Sequence, residues 1–186
     1  MGMPARTEEW TAEMARAIPD DNNRYEVLDG ELFVTPMPSF QHQRIAGIIS
    51  ARVHKYCRLH SIGDTVGPGG VVWDDNELQA DFEVFPFRYD GTGDPKWEDL
   101  PCPILVGEVL SDITEWRDHG PKRDAYERRG IPTYWIVDPD ERCVTVWSFP
   151  AAEPQVLTDV LRWQPRADLP PLEIPLASIF GGDPTA

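Results

Sequence analysis

The sequence predicts an α/β fold built on a mixed sheet with helices on its faces. Three observations point there. Tyr25-Glu26-Val27-Leu28 and Leu32-Phe33-Val34 flank Asp29-Gly30, and a DG pair between apolar runs marks a β-hairpin. Ile104-Leu105-Val106-Gly107-Glu108-Val109-Leu110 is a continuous apolar run carrying one acid, which suits a central strand buried on both faces. One crossover helix separates that run from the next buried strand, Thr133 to Val137, and this order implies a mixed sheet.

Taken in order, Thr7 to Ile18 reads as an amphipathic helix, with Thr7 as N-cap, Glu8 and Glu9 in the first turn and Pro19 after its end. The hairpin follows, and Pro36-Met37-Pro38-Ser39 breaks its second strand. Ser39 is placed to cap a helix from about Phe40 to Leu59, in which Ile45, Ile48, Ile49, Val53 and Tyr56 recur at helical spacing. Gly67 to Gly70 makes a turn before Val71-Val72-Trp73. Ala80 to Phe87 alternates around Phe82, Val84 and Phe85 and predicts one strand. Arg88 to Pro101, rich in Asp, Gly and Pro, is an excursion loop. In the crossover helix Pro121 suits the first position and Gly130 the end. Asp138-Pro139-Asp140-Glu141 turns the chain into Val144 to Trp147, and a short strand near Val160 to Trp163 precedes a Pro-rich tail.

At 186 residues the chain fits one domain, 1–186, with a core over about 24–149 and a Pro-rich C-terminal extension over 150–186. A content of 41% hydrophobic and 26% charged residues is that of an ordinary globular protein. No apolar run approaches a membrane span, and Met1 to Trp10 lacks the apolar core of a signal peptide, so a cytoplasmic protein is expected. Cys57, Cys102 and Cys143 are odd in number and far apart, which argues against a disulfide framework or a zinc cluster. His42, His54, His60 and His119 show no ligand spacing.

The formal net charge of −15 opposes nucleic-acid binding. Exposed charges are nevertheless screened beyond roughly 8 Å at physiological salt, so a local basic patch still works. Arg117, Lys122, Arg123, Arg128 and Arg129 form the candidate patch. With Asp118, Asp124 and Glu127 interleaved, the same segment equally reads as a solvated helix face.

Glu108 is costly to bury unpaired inside so apolar a strand. It is either salt-bridged, or exposed at the strand end, or a metal ligand. Asp81 sits similarly beside Phe82 and Val84. Two acids from adjacent strands can hold a magnesium ion with several waters, and such an ion neutralises phosphate charge and activates water. Lysines are few: Lys55, Lys96 and Lys122. Lys122 lies at a helix start, where dipole and backbone N–H groups favour anions, with Tyr126 one turn on. A compact cation there suits phosphoryl transfer; a solvated lysine is the ordinary alternative.

Arg24 to Leu32, Pro38-Ser39 followed by His42, the strand ending in Asp81, Gly107 to Ser111, the set Asp118, Lys122, Tyr126, Gly130, and Tyr134 to Pro139 together resemble the Uma-two family of putative restriction endonucleases. The likeness runs from about Arg24 to Trp147. It implies the PD-(D/E)XK fold, with Asp81, Glu108 and Val109 as the metal-binding set for magnesium, manganese substituting. It also implies Lys122 as the catalytic lysine offered from the helix, Glu26 as an auxiliary acid and Tyr126 as a supporting group. Leu110 stands where many superfamily members carry a strand lysine. Ala80, Ser111-Asp112-Ile113-Thr114 and Pro121 depart from the family pattern. The expected activity is magnesium-dependent cleavage of DNA phosphodiester bonds, by a monomer or a homodimer. A catalytically silent interaction module and an RNA-directed nuclease are the alternatives.

Overall fold

The computed structural model describes residues 9–111, 113–151 and 153–181. Its N-terminal helix is shorter than predicted. Thr11, not Thr7, caps α1 (Ala12–Arg16) by accepting from the Met14 N–H; Thr7 and Glu8 lie outside the described residues. The hairpin forms as β1 (Arg24–Leu28) and β2 (Glu31–Thr35). Asp29 and Gly30 take φ values of 51° and 82°, the left-handed pair that matches the twist of a two-residue hairpin. Ser39 caps α2 (Phe40–His60) through the His42 N–H.

The stretch expected as one strand over Ala80 to Phe87 divides at Asp81. After β3 (Asp64–Val66), β4 (Gly69–Trp73) turns at Asp74-Asp75 into β5 (Asn76–Ala80), and β6 (Phe82–Phe85) follows Asp81. β5 belongs to a four-stranded antiparallel sheet ordered β2-β1-β5-β4. β6 belongs to a separate, six-stranded sheet. Leu78, Ala80, Phe82 and Val84 alternate with Glu77, Gln79, Asp81 and Glu83 without a break, so alternation alone gives no sign that the chain changes partners here.

β7 (Leu105–Val109) pairs antiparallel with β6 and parallel with β8 (Thr133–Asp138). The crossover between them holds two helices, α3 (Glu115–His119) and α4 (Pro121–Arg129), broken at Gly120. Asp112 lies outside the described residues. Pro121 opens α4 and Gly130, at φ 85°, closes it, as its sequence predicts. β9 (Cys143–Ser148) and β10 (Gln155–Leu157) complete the larger sheet, ordered β10-β9-β8-β7-β6-β3.

The C-terminal stretch is not a bare extension. It forms the hairpin β11 (Val160–Trp163) and β12 (Leu172–Pro175) and the short α5 (Ala177–Phe180). Leu161, Trp163, Ile174, Leu176 and Ile179 join the core under α2 with Phe82, Val84, Leu105 and Val109. A second core, on the other face of β7 and β8, packs Val106, Leu110, Tyr134 and Ile136 against Ala125 and Tyr126 of α4 and Leu78 and Ala80 of β5. Side chains alternate between the faces of a strand. Glu108, in step with Val106 and Leu110, therefore faces α4.

Gly107 sets the spacing of β6 and β7. A Cβ there would come within 2.0 Å of Phe82 Cζ, and the Phe82 ring is fully buried against Trp135. Gly107→Ala should cost about 1–3 kcal/mol through overpacking and lower Tm by several degrees. Thermal unfolding checks this, and an unchanged Tm would mean the ring is free to move aside.

Candidate active site

Three segments meet beneath the second core's polar edge. β1 brings Glu26, β7 brings Glu108 near its end, α4 brings Lys122 and Tyr126, four residues apart and so on one helix face, and α3 brings Asp118 across the break at Gly120. The Lys122 ammonium sits 2.7 Å from Glu26 Oε1, 2.9 Å from Glu108 Oε1 and 3.7 Å from Asp118 Oδ1. Tyr126 donates its hydroxyl to Glu108 Oε1 at 3.0 Å, and the Gln79 N–H donates to Glu26 Oε1 at 2.9 Å. Glu26, Glu108 and Lys122 are 1%, 2% and 4% exposed.

Asp81 lies at the passage from one sheet to the other, anchored by its own N–H to the Gly107 carbonyl at 3.1 Å. Its Oδ2 accepts from the Val109 N–H at 2.8 Å and faces His42 Nε2 at 3.0 Å; its Oδ1 accepts from Arg24 Nη1 at 3.0 Å. Asp81 was expected on a strand beside that of Glu108; it lies instead at the bend between β5 and β6, next to β7, where Val109 touches it through its backbone. Above them opens a cleft of about 530 Å³ whose lining includes Arg24, Met37, His42, Leu110, Ile113 and Asp138.

The electrostatics separate the two acids. Burial pushes the Asp81 carboxyl upward, but His42, Arg24 and the Val109 N–H outweigh it and hold the group below its ordinary value. Glu108 goes the other way, up to about 8. Burial leads, and Asp118, Asp81 and Glu26 add to it against the opposing pull of Lys122. Burial opposes the charge of Lys122, yet Glu108, Glu26 and Asp118 together raise its pKa, so it remains an ammonium. Glu83, two residues beyond Asp81, is fully buried with neither carboxyl oxygen hydrogen-bonded. Burial, then Glu108 and Asp81, drive its pKa well up.

Glu26, Glu108, Lys122 and Tyr126 thus share one buried network, while Asp81 is held beside it by Arg24, His42 and the N–H of Val109, the residue after Glu108. The predicted basic patch does not form as a surface. Arg117 is buried, donating to Thr35 Oγ1 at 2.7 Å and lying 3.8 Å from Glu26, and Lys122 points inward. Leu110 packs in the core where a strand lysine was the alternative. Arg24, His42, Glu83, Asp118 and Arg117 were not singled out as site residues. Period-two spacing already pairs Arg24 with Glu26 and Glu83 with Asp81, and helical spacing pairs Asp118 with Lys122. His42 gave only its place one turn after the Ser39 cap.

Comparison with known proteins assigns this arrangement to the restriction endonuclease-like fold. The chain is similar to a crystal structure of a putative nuclease belonging to DUF820 from Anabaena variabilis ATCC 29413, with a TM-score of 0.76. The two are 19% identical, over 91% of this chain and 97% of that one. The chain belongs to the Uma2 family, described as putative restriction endonuclease, whose profile matches residues 12–177. No curated protein matches it. Among the described residues no helix is long and apolar enough to cross a membrane.

Removing the ammonium leaves its carboxylates buried without their cation. Lys122→Met should cost about 3–5 kcal/mol at neutral pH. The carboxylates then bind protons more tightly folded than unfolded, so stability rises as pH falls toward 5. Urea unfolding of both proteins across this range checks it. A loss that is constant with pH would show that Lys122 acts by packing alone.

Proposed function

We propose that the chain is a nuclease that hydrolyses DNA phosphodiester bonds with magnesium, held by Asp81, Glu108 and the Val109 backbone. One observation carries this reading. The polar core holds the carboxyls of Glu26, Asp81, Glu83, Glu108 and Asp118 against the cations of Arg24, Arg117 and Lys122. Five carboxyls face three cations, so the surplus acids Glu83 and Glu108 keep their protons, and a divalent cation can take the place of the proton on Glu108.

The donor set fits such an ion. Carboxylates and a backbone carbonyl are hard oxygen ligands, and magnesium takes one or two carboxylates and keeps several waters. Among the described residues no three His, Cys, Asp or Glu side chains converge as a cage, so the fit rests on two carboxylates rather than a closed site. A bound ion would neutralise phosphate charge and acidify a water for attack. The remaining work falls to the chain itself. Lys122 and Tyr126 fix Glu108 Oε1, Glu26 shares the ammonium and holds it in register, and His42 with the Val109 N–H aims Asp81. The cleft is lined by Arg24 and His42, the partners of Asp81, and by Leu110, two residues after Glu108.

A second reading, a catalytically silent module of the same fold, is favoured by the engagement of Asp81 with three donors and by the net charge of −15.

The test is incubation of the purified protein with supercoiled DNA, with and without magnesium or manganese, and with an RNA of matched length as a second substrate. Wild type should nick DNA only with metal, and Asp81→Asn and Glu108→Gln should each lose at least about 100-fold in rate. Magnesium should raise the Tm of wild type and not of Asp81→Asn. Metal binding without cleavage of either substrate would favour the silent module. Cleavage by Asp81→Asn at the wild-type rate would remove Asp81 from the site.

A further inference from the structure

We propose that Arg24 grips the reacting phosphate of the bound nucleic acid, and that it releases Asp81 Oδ1 in doing so. The inference rests on the nuclease reading above and assigns a residue which that reading leaves without a role in the reaction.

Lys122 is poorly placed to meet a substrate. It is 4% exposed, is committed to Glu26 and Glu108, and does not line the cleft. Arg24 does line the cleft, and among the described residues it is the one lysine or arginine that does so. The lining also carries Glu115, Asp138, Asp140 and Glu141, so a phosphate entering the cleft is repelled by these and drawn to Arg24.

The guanidinium is already half-committed to an anion. Arg24 Nη1 donates to Asp81 Oδ1 at 3.0 Å, while Arg24 Nε is buried without a hydrogen-bond partner. A guanidinium presents five donors in a fixed fork that fits carboxylate and phosphate alike. Transfer from Asp81 to a phosphate exchanges one anionic partner for another and offers the idle Nε an acceptor.

Asp81 is built to survive the exchange. Arg24 is the partner of Oδ1, whereas His42 and the Val109 N–H hold Oδ2. When Arg24 leaves, Asp81 keeps its orientation and exposes one oxygen. Arg24 and a cation therefore compete for Oδ1, and a phosphate relieves that competition.

The competition gives a sign that a merely structural role would not. With the full chain, Mn²⁺ affinity is measured by electron paramagnetic resonance without DNA. The affinity for a fluorescein-labelled DNA duplex is measured by anisotropy in Ca²⁺, and kcat/KM for plasmid nicking in Mg²⁺. Arg24→Gln should bind Mn²⁺ up to about tenfold more tightly, since a competing cation is gone. The same variant should lose about 10- to 100-fold in duplex affinity and in kcat/KM, the range for a hydrogen bond to a charged group. Arg24→Lys keeps the charge but not the fork and should fall between the two on duplex affinity. Circular dichroism confirms that each variant is folded. If wild type binds Mn²⁺ and cleaves while folded Arg24→Gln matches it in duplex affinity and kcat/KM, this inference fails and the nuclease reading stands. A folded Arg24→Gln that weakens Mn²⁺ binding along with DNA binding also overturns it, because Arg24 then only supports Asp81. If wild type neither binds Mn²⁺ nor cleaves, both fall together.

Discussion

The buried ammonium of Lys122 is the contact on which the arrangement turns. It joins Glu26 from the four-stranded sheet to Glu108 from the six-stranded sheet, and it does so from a helix that belongs to neither. Burying these charges is expensive, and an ion pair in such a place repays its desolvation only with good geometry and further hydrogen bonds. Tyr126 and the Gln79 N–H supply them. A less costly apolar core was available to this fold, since Leu110, Tyr134 and Ile136 surround the cluster.

The second constraint is the passage at Asp81. β5 and β6 are one ribbon in sequence but pair in different sheets, and Asp81 sits where the chain crosses between them. The crossing takes Asp81 out of regular strand pairing, and its side chain instead gathers the Val109 N–H, His42 and Arg24. Gly107, with the Phe82 ring against it, lets β7 approach closely enough for this to happen. The fold thus places one carboxyl held low by His42, Arg24 and the Val109 N–H beside another raised by burial, behind the Arg24 and His42 side chains that line a cleft. Pairs of acids whose surroundings push their pKa values apart are a recurring signature of reactive sites.

Much of this was legible in the sequence. The hairpin around Asp29-Gly30, the Ser39-capped helix, Pro121 and Gly130 at the ends of α4, and the apolar strand bearing Glu108 each follow from local chemistry, and each forms. An acid in an apolar strand had to have a partner, and Lys122 is that partner. What the sequence hid is tertiary. The split at Asp81 is invisible to alternation because the apolar set Leu78, Ala80, Phe82, Val84 and the polar set Glu77, Gln79, Asp81, Glu83 run through it in unbroken register. The C-terminal stretch looked like a tail because proline and polar residues outnumber its few core positions, yet Trp163 and Ile174 seal the face under α2. Arg117 read as a surface charge because a helical arginine usually is one, and Thr35, Glu26 and the Phe33 ring together explain its burial.

The account rests on the claim that the excess of buried acid over base is the seat of a divalent cation. Anomalous diffraction from crystals soaked in manganese measures this most directly. The account predicts a peak bounded by the Asp81 and Glu108 carboxylates and the Val109 carbonyl, with Arg24 withdrawn from Asp81 Oδ1. No peak at saturating manganese, with Arg24 still on Asp81, would contradict it.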